Sequence, residues 1–130
     1  MYNLCHSLIF MCDFCDEQII KRGLVYKTNS FFVRFDANPV SAGHILIIPK
    51  RHIVSFSELN EIERLEIWEA LNKAIYFLKT SQPKKPRDFN IGINEGKLAG
   101  RTVDHLHMHV IPRYEGDETN MVGFKNLFNI

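Results

Sequence analysis

Histidine alternates with apolar side chains through His105-Leu106-His107-Met108-His109-Val110-Ile111, and that pattern constrains the fold more than any other. Successive side chains of a strand point to opposite faces. A period of two therefore puts three imidazoles on one face and sends Leu106, Met108 and Val110 into a core. Three aligned imidazoles concentrate groups that titrate near neutrality, and packing alone does not require such an arrangement. The pattern predicts a strand over residues 103–111 with chemistry on its histidine face.

The remaining elements follow from local signals. Residues 24–28 and 31–35 are rich in Val, Tyr and Phe and flank Asn29-Ser30, the signature of a hairpin. Turn residues from Asn38 to Gly43 precede a β-branched run over 44–49 that Pro49 ends. Ile62, Leu65, Trp68, Leu71, Ile75 and Leu78 recur at steps of three and four, which predicts one helix of roughly 20 residues with that apolar stripe facing inward. Asn60 with Glu63 resembles a capping box, and 80–83 closes the helix. Residues 84–87 read as a solvated loop, and 89–94 as a fourth strand. Gly96 and Gly100 then punctuate the loop before the histidine strand, and a polar tail follows Pro112. The order β, β, β, α, β, β predicts an α+β domain on a five-stranded antiparallel sheet.

Composition narrows the function classes. The chain has 130 residues, 45% hydrophobic and 24% charged, which suits one compact domain without disulfide staples. A net charge of +1 with no long basic block gives no footprint for duplex nucleic acid or an anionic membrane. No apolar run approaches the ~20 residues that span a bilayer, and no basic residue precedes the run at 8–11, so a cytoplasmic protein without a secretory signal is expected. Three cysteines, two of them in Cys12-Asp13-Phe14-Cys15, fit reduced thiols or a metal site better than a disulfide framework. Cys5 and His6 read as incidental.

The histidine face suits two chemistries. A His-x-His pair with a third histidine can grip a catalytic zinc that activates water. Alternatively, one imidazole attacks an electrophile while its neighbours bind the oxyanions. Gly96, Gly100 and Thr102, just ahead of the histidines, offer amide donors, a hydroxyl and close backbone approach to a phosphate, which favours the second.

Four blocks carry a resemblance: Gly43-His44, Pro49-Lys50-Arg51-His52, Asn94-Glu95-Gly96, and Gly100-Arg101-Thr102-Val103 running into His105-x-His107-x-His109-Val110-Ile111-Pro112. In order and spacing they are similar to the histidine triad (HIT) superfamily over residues 12–117 of a single domain, 1–130. The resemblance implies a five-stranded sheet with one long and one short N-terminal helix, extended across a homodimer. It implies a nucleotidyl hydrolase or transferase that cleaves at the α-phosphate of a nucleotide, with a purine favoured, through a covalent nucleotidyl-histidine. Dinucleoside polyphosphates and nucleoside phosphoramidates are the substrate classes expected. By position His107 is the nucleophile, with His109 and His44 on phosphate oxygens. Thr102 and the amides around Val103 neutralise developing charge beside Gly100, Asn94 lies along the phosphates, and Asp36 meets the ribose. Arg101 stands where many relatives have glutamine, and Arg34 where some place an apolar residue near the base. In the zinc-bearing branch Cys12, Cys15, His52 and His105 form a closed, structural Cys2His2 site. Two alternatives remain at this point: a nucleotide-binding adaptor with incidental hydrolysis, and a zinc-dependent hydrolase using the histidine cluster.

Overall fold

The structure, a computed structural model, describes residues 12–117. Cys5, His6, the apolar run at 8–11 and the tail beyond 117 lie outside that range. A short 3-10 turn, Asp13–Cys15, leads into helix α1, Glu17–Arg22. Strands β1, Leu24–Lys27, β2, Phe31–Phe35, and β3, Ile45–Pro49, come next. A 3-10 turn at Phe56–Glu58 precedes helix α2, Glu61–Ser81. Strand β4, Asp88–Gly92, a turn at Lys97–Ala99, and strand β5, Met108–Arg113, complete the set. The sheet runs β1-β2-β3-β5-β4, and each pair is antiparallel. The five-stranded α+β architecture expected from the sequence is present, as is the short N-terminal helix. Among the described residues no helix is long and apolar enough to cross a membrane.

Register decides which side chains share a face. Val33 lies opposite Ile47 and Ile47 opposite Met108, and all three are buried against Ile67, Ala70, Leu71, Ala74 and Leu78 of α2. Stepping one residue along each strand reverses the face. Arg34 lies opposite Leu46 and Leu46 opposite His109, on the side that α1 and the Asp13–Cys15 turn partly cover through Ile20 and Phe14. The alternation of histidine with apolar residues therefore separates core from site, as the spacing predicts.

Two expectations are corrected. The last strand begins at Met108 rather than at 103, because the residues before it bond outside the ladder. Leu106 N–H donates to Ile53 O at 2.7 Å, and the His105 ring bonds Pro49 O. The segment thus turns onto the chain that follows β3 before it enters the sheet. The core stripe of α2 is also displaced: Glu63, Ile67, Ala70, Leu71, Ala74 and Leu78 are buried, whereas Ile62, Leu65 and Trp68 are 70%, 72% and 59% exposed. Apolar periodicity marked a helix correctly but merged two stripes, only one of which faces the sheet.

Glu63 couples this helix to the site. Its carboxylate accepts from its own cap at Asn60 N and, in bidentate fashion, from Arg51 Nε at 2.9 Å and Nη2 at 2.8 Å. Arg51 directly precedes His52, so the pair fixes the segment that carries that histidine. The hydrogen bond from Arg51 holds the Glu63 carboxyl below its ordinary value of 4.5. Because the folded value lies below the unfolded one, the contribution is present above pH 4.5 and lost as pH falls through the folded value. Glu63→Gln should lower stability by roughly 2–3 kcal/mol at neutral pH. In urea titrations across the acid range, the gap to wild type should narrow with falling pH; a constant gap would contradict the role given to the pair.

Candidate active site and metal centre

The hydrogen bonds of four imidazoles fix where each carries its proton. Burial pushes His44, His105, His107 and His109 below the usual histidine range, His105 to about 4 and His109 to about 3. Each is therefore neutral near pH 7, with one N–H and one lone pair. His107 Nδ1–H donates to His105 O at 2.8 Å, which leaves Nε2 as the bare nitrogen. Val40 N–H donates to His44 Nδ1 at 3.0 Å, so His44 carries its proton on Nε2 and donates to His109 Nδ1 at 2.9 Å. The His109 proton then sits on Nε2. One ring offers a lone pair and its neighbour an N–H, with ring centroids 5.0 Å apart.

His107 and His109 open onto a cavity of about 230 Å³. Asp36, Asn94, Gly100, Thr102 and Val103 line it with them, so seven of the residues given a catalytic or substrate-binding role from the sequence meet at one site. Gly100 ends the Lys97–Ala99 turn at φ +104, in the left-handed region that glycine adopts without strain. Two expected residues stand elsewhere. His44 is fully buried one ring behind His109, so it orients that ring rather than facing the cavity. Arg101 is absent from the lining, and its Nε donates to Asp104 at 3.0 Å. His107 is only 7% exposed.

Arg34 reaches the cavity wall but is mainly committed elsewhere. Its Nε donates to Phe35 O at 2.8 Å and its Nη1 to Ile19 O at 2.7 Å, which ties α1 to the sheet. A side chain at Gly23 would meet Arg34 Nη2 at 3.1 Å, so the glycine makes room for the guanidinium. The sequence reading missed Phe14, whose ring lines the cavity and lies 5.1 Å from the His107 ring in a T-shaped contact. The available signal was its place between Cys12 and Cys15, since two anchored neighbours fix the residues between them.

A second group lies beside the cavity. The ligand atoms of Cys12, Cys15, His52 and His105 all fall within 4.8 Å of one another. Cys12 Sγ to His105 Nδ1 is 3.3 Å, Cys15 Sγ to His52 Nδ1 is 3.2 Å, and the two Nδ1 atoms are 3.2 Å apart. A tetrahedral zinc with bonds of 2.0–2.3 Å has ligand-to-ligand edges of about 3.3–3.8 Å, close to this spacing. His105 Nε2–H donates to Pro49 O at 2.8 Å, so its lone pair faces the sulfurs, as a metal-binding histidine requires. The donors fit zinc with no open position. Cys12 is a free thiol, its ionisation opposed by burial.

Asp36, His44 and His109 also cluster within 4.8 Å, yet they do not fit a metal. Val40 N–H occupies the lone pair of His44, and its other nitrogen carries a proton. His107 belongs to neither group, which removes the support for a catalytic zinc held by His105 and His107.

Comparison with known proteins identifies a family. The HIT domain model matches residues 17–116. An uncharacterised HIT-like protein of Methanocaldococcus jannaschii is 37% identical over 82% of this chain and 82% of its own. A protein named AP-4-A phosphorylase in Mycobacterium tuberculosis is 34% identical over 78% of this chain, which spans half of that relative's length. Among solved structures, a zinc-bound histidine triad family protein from Mycobacterium smegmatis superposes with a TM-score of 0.70 at 31% identity, covering 84% of this chain and 79% of that one. With the fold, the histidine segment and the matched length in agreement, the chain belongs to the HIT family.

Proposed function

We propose that this chain is a nucleotidyl hydrolase or transferase that cleaves at the α-phosphate of dinucleoside polyphosphates or nucleoside phosphoramidates. The observation that carries the reading is the hydrogen bond from His107 Nδ1–H to His105 O, which leaves Nε2 unprotonated beside a cavity lined by Asp36, Asn94, Gly100 and Thr102. In the first step the Nε2 lone pair attacks the α-phosphorus; the P–N bond forms as the bond to the leaving group breaks. In the second, water attacks phosphorus and gives up a proton to solvent, the P–N bond breaks with its electron pair returning to Nε2, and the neutral imidazole and a nucleoside monophosphate are released. His109 donates Nε2–H to a phosphate oxygen, and His44 holds it in that tautomer. Thr102, the amide of Val103 and the open backbone at Gly100 stabilise charge on the equatorial oxygens, Asn94 lies along the phosphates, and Asp36 accepts from ribose hydroxyls. Arg101, tied to Asp104, acts on the site at a distance through its charge. The relative named for AP-4-A supports a dinucleotide substrate.

Zinc, when bound by Cys12, Cys15, His52 and His105, supplies structural cross-linking rather than chemistry, since protein fills every position. A homodimer is supported by two features of the surface: the second apolar stripe of α2, with Ile62, Leu65, Trp68 and Tyr76 all exposed, and the sheet edge at β4, where Ile91 is 41% exposed.

Three measurements follow. His107→Asn should lower turnover of diadenosine tetraphosphate or adenosine phosphoramidate by roughly a thousandfold or more while product-nucleotide binding survives. Near-full turnover in that variant would sink the nucleophile assignment, and tight binding with negligible wild-type turnover would favour an adaptor. Under reducing conditions the protein should carry one zinc per chain, and Cys12→Ser combined with Cys15→Ser should carry none and melt at lower temperature. Zinc retained in the double variant would contradict the ligand set. In sedimentation, wild type should run at twice its 15.2 kDa chain mass. Trp68, the single tryptophan, should shift its emission to the red on dilution, and Trp68→Glu should be monomeric; a monomeric wild type would overturn the dimer.

A further inference from the structure

We infer that Phe14 is a positioning residue for the His107 imidazole, and that through it the fixation of the Cys12–Cys15 loop reaches the reacting nitrogen. The inference rests on the assignment of His107 as nucleophile, but the contact itself is independent of any substrate. The Phe14 ring stands at 80° to the His107 ring with centroids 5.1 Å apart, and at 79° to the His105 ring with centroids 6.1 Å apart. One phenyl group therefore touches both a cluster histidine and the histidine that faces the cavity.

Its own position is set on both sides. Cys12 and Cys15 flank the turn, their sulfurs reach His105 Nδ1 at 3.3 and 3.6 Å, and Cys15 N–H donates to Cys12 O at 3.1 Å. Phe14 also packs on the cluster of Ile20, Leu46 and Ile48 beneath the turn. The phenyl group thus has little freedom of its own.

The His107 ring needs that neighbour. Among the described residues its one hydrogen bond, Nδ1–H to His105 O, fixes the nitrogen but leaves the ring able to swivel about that contact. Phe14 and His109 supply the other limits, with centroids 5.1 and 5.0 Å away. T-shaped contacts of this kind contribute about 0.5–1.5 kcal/mol beyond burial. Nucleophilic attack needs the lone pair aligned on phosphorus, and a misplacement of about 1 Å can cost a hundredfold in rate. His105 adds a second connection: its side chain belongs to the metal-binding cluster, while its carbonyl is the acceptor that sets the His107 tautomer.

A residue that only lines the cavity would affect the strength of binding, whereas a positioning residue affects the rate of the bound complex. The test is Phe14→Leu, which keeps apolar bulk but removes the planar ring, assayed with diadenosine tetraphosphate and adenosine phosphoramidate. The expected result is a fall in kcat of roughly tenfold to a hundredfold with KM within about twofold. In parallel, the ring-proton resonances of His107, assigned by their loss in His107→Asn, are recorded without substrate in wild type and Phe14→Leu. They should shift and broaden in the variant, and stripping metal with a chelator from reduced wild type should move them in the same direction. Unchanged kcat with raised KM would overturn the proposal, as would His107 resonances unmoved by the substitution. Resonances moved by the substitution but not by chelation would overturn the link to the cluster. If His107→Asn keeps its turnover, the nucleophile assignment fails on its own, and the resonances still decide whether Phe14 constrains the ring.

Discussion

The hydrogen bond from His107 Nδ1–H to the carbonyl of His105 is the interaction on which the site depends. A neutral imidazole has one proton to place, and holding it on Nδ1 leaves Nε2 as a lone pair facing the cavity. Burial favours this state by disfavouring the charged ring. The acceptor is the backbone of the residue whose side chain joins the cysteine cluster, so two functions two residues apart share one peptide unit. That arrangement requires the chain at 105–107 to lie outside the sheet ladder, and the hydrogen bonds to Ile53 and Pro49 hold it there.

The same logic sorts the other imidazoles. His105 spends its N–H on Pro49 O and turns its lone pair toward two sulfurs, the state a metal needs. His44 receives Val40 N–H and passes its own proton to His109, so that pair forms a relay of donors rather than a metal site. Four histidines of similar burial thus take different roles because each has a different partner for its one proton. Arg51 and Glu63 extend the framework outward by tying the segment that carries His52 to the start of α2.

Much of this was legible in the sequence, for identifiable reasons. Period-two spacing at 108–110 reports the face of a strand directly, and the capping box at Asn60 and Glu63 is a local signal that forms as written. The grouping of Cys12, Cys15, His52 and His105 followed from family resemblance, because no local rule brings residues 12 and 105 together. The exposed stripe of α2 was misread because periodicity marks apolar faces without saying which one meets the sheet. Phe14 escaped notice for a related reason: its contact with His107 spans 93 positions and exists only once the loop is anchored. His44 was placed on phosphate because its order in the chain matches the family, whereas hydrogen bonding puts it one ring behind.

The tautomer of His107 is the most direct test. Long-range proton–nitrogen correlation spectra of histidine-labelled, substrate-free protein near neutral pH distinguish a ring protonated on Nδ1 from one protonated on Nε2. The account predicts a single Nδ1–H form for His107 and an Nε2–H form for His109. A His107 ring protonated on Nε2, or averaging between the two forms, would contradict it.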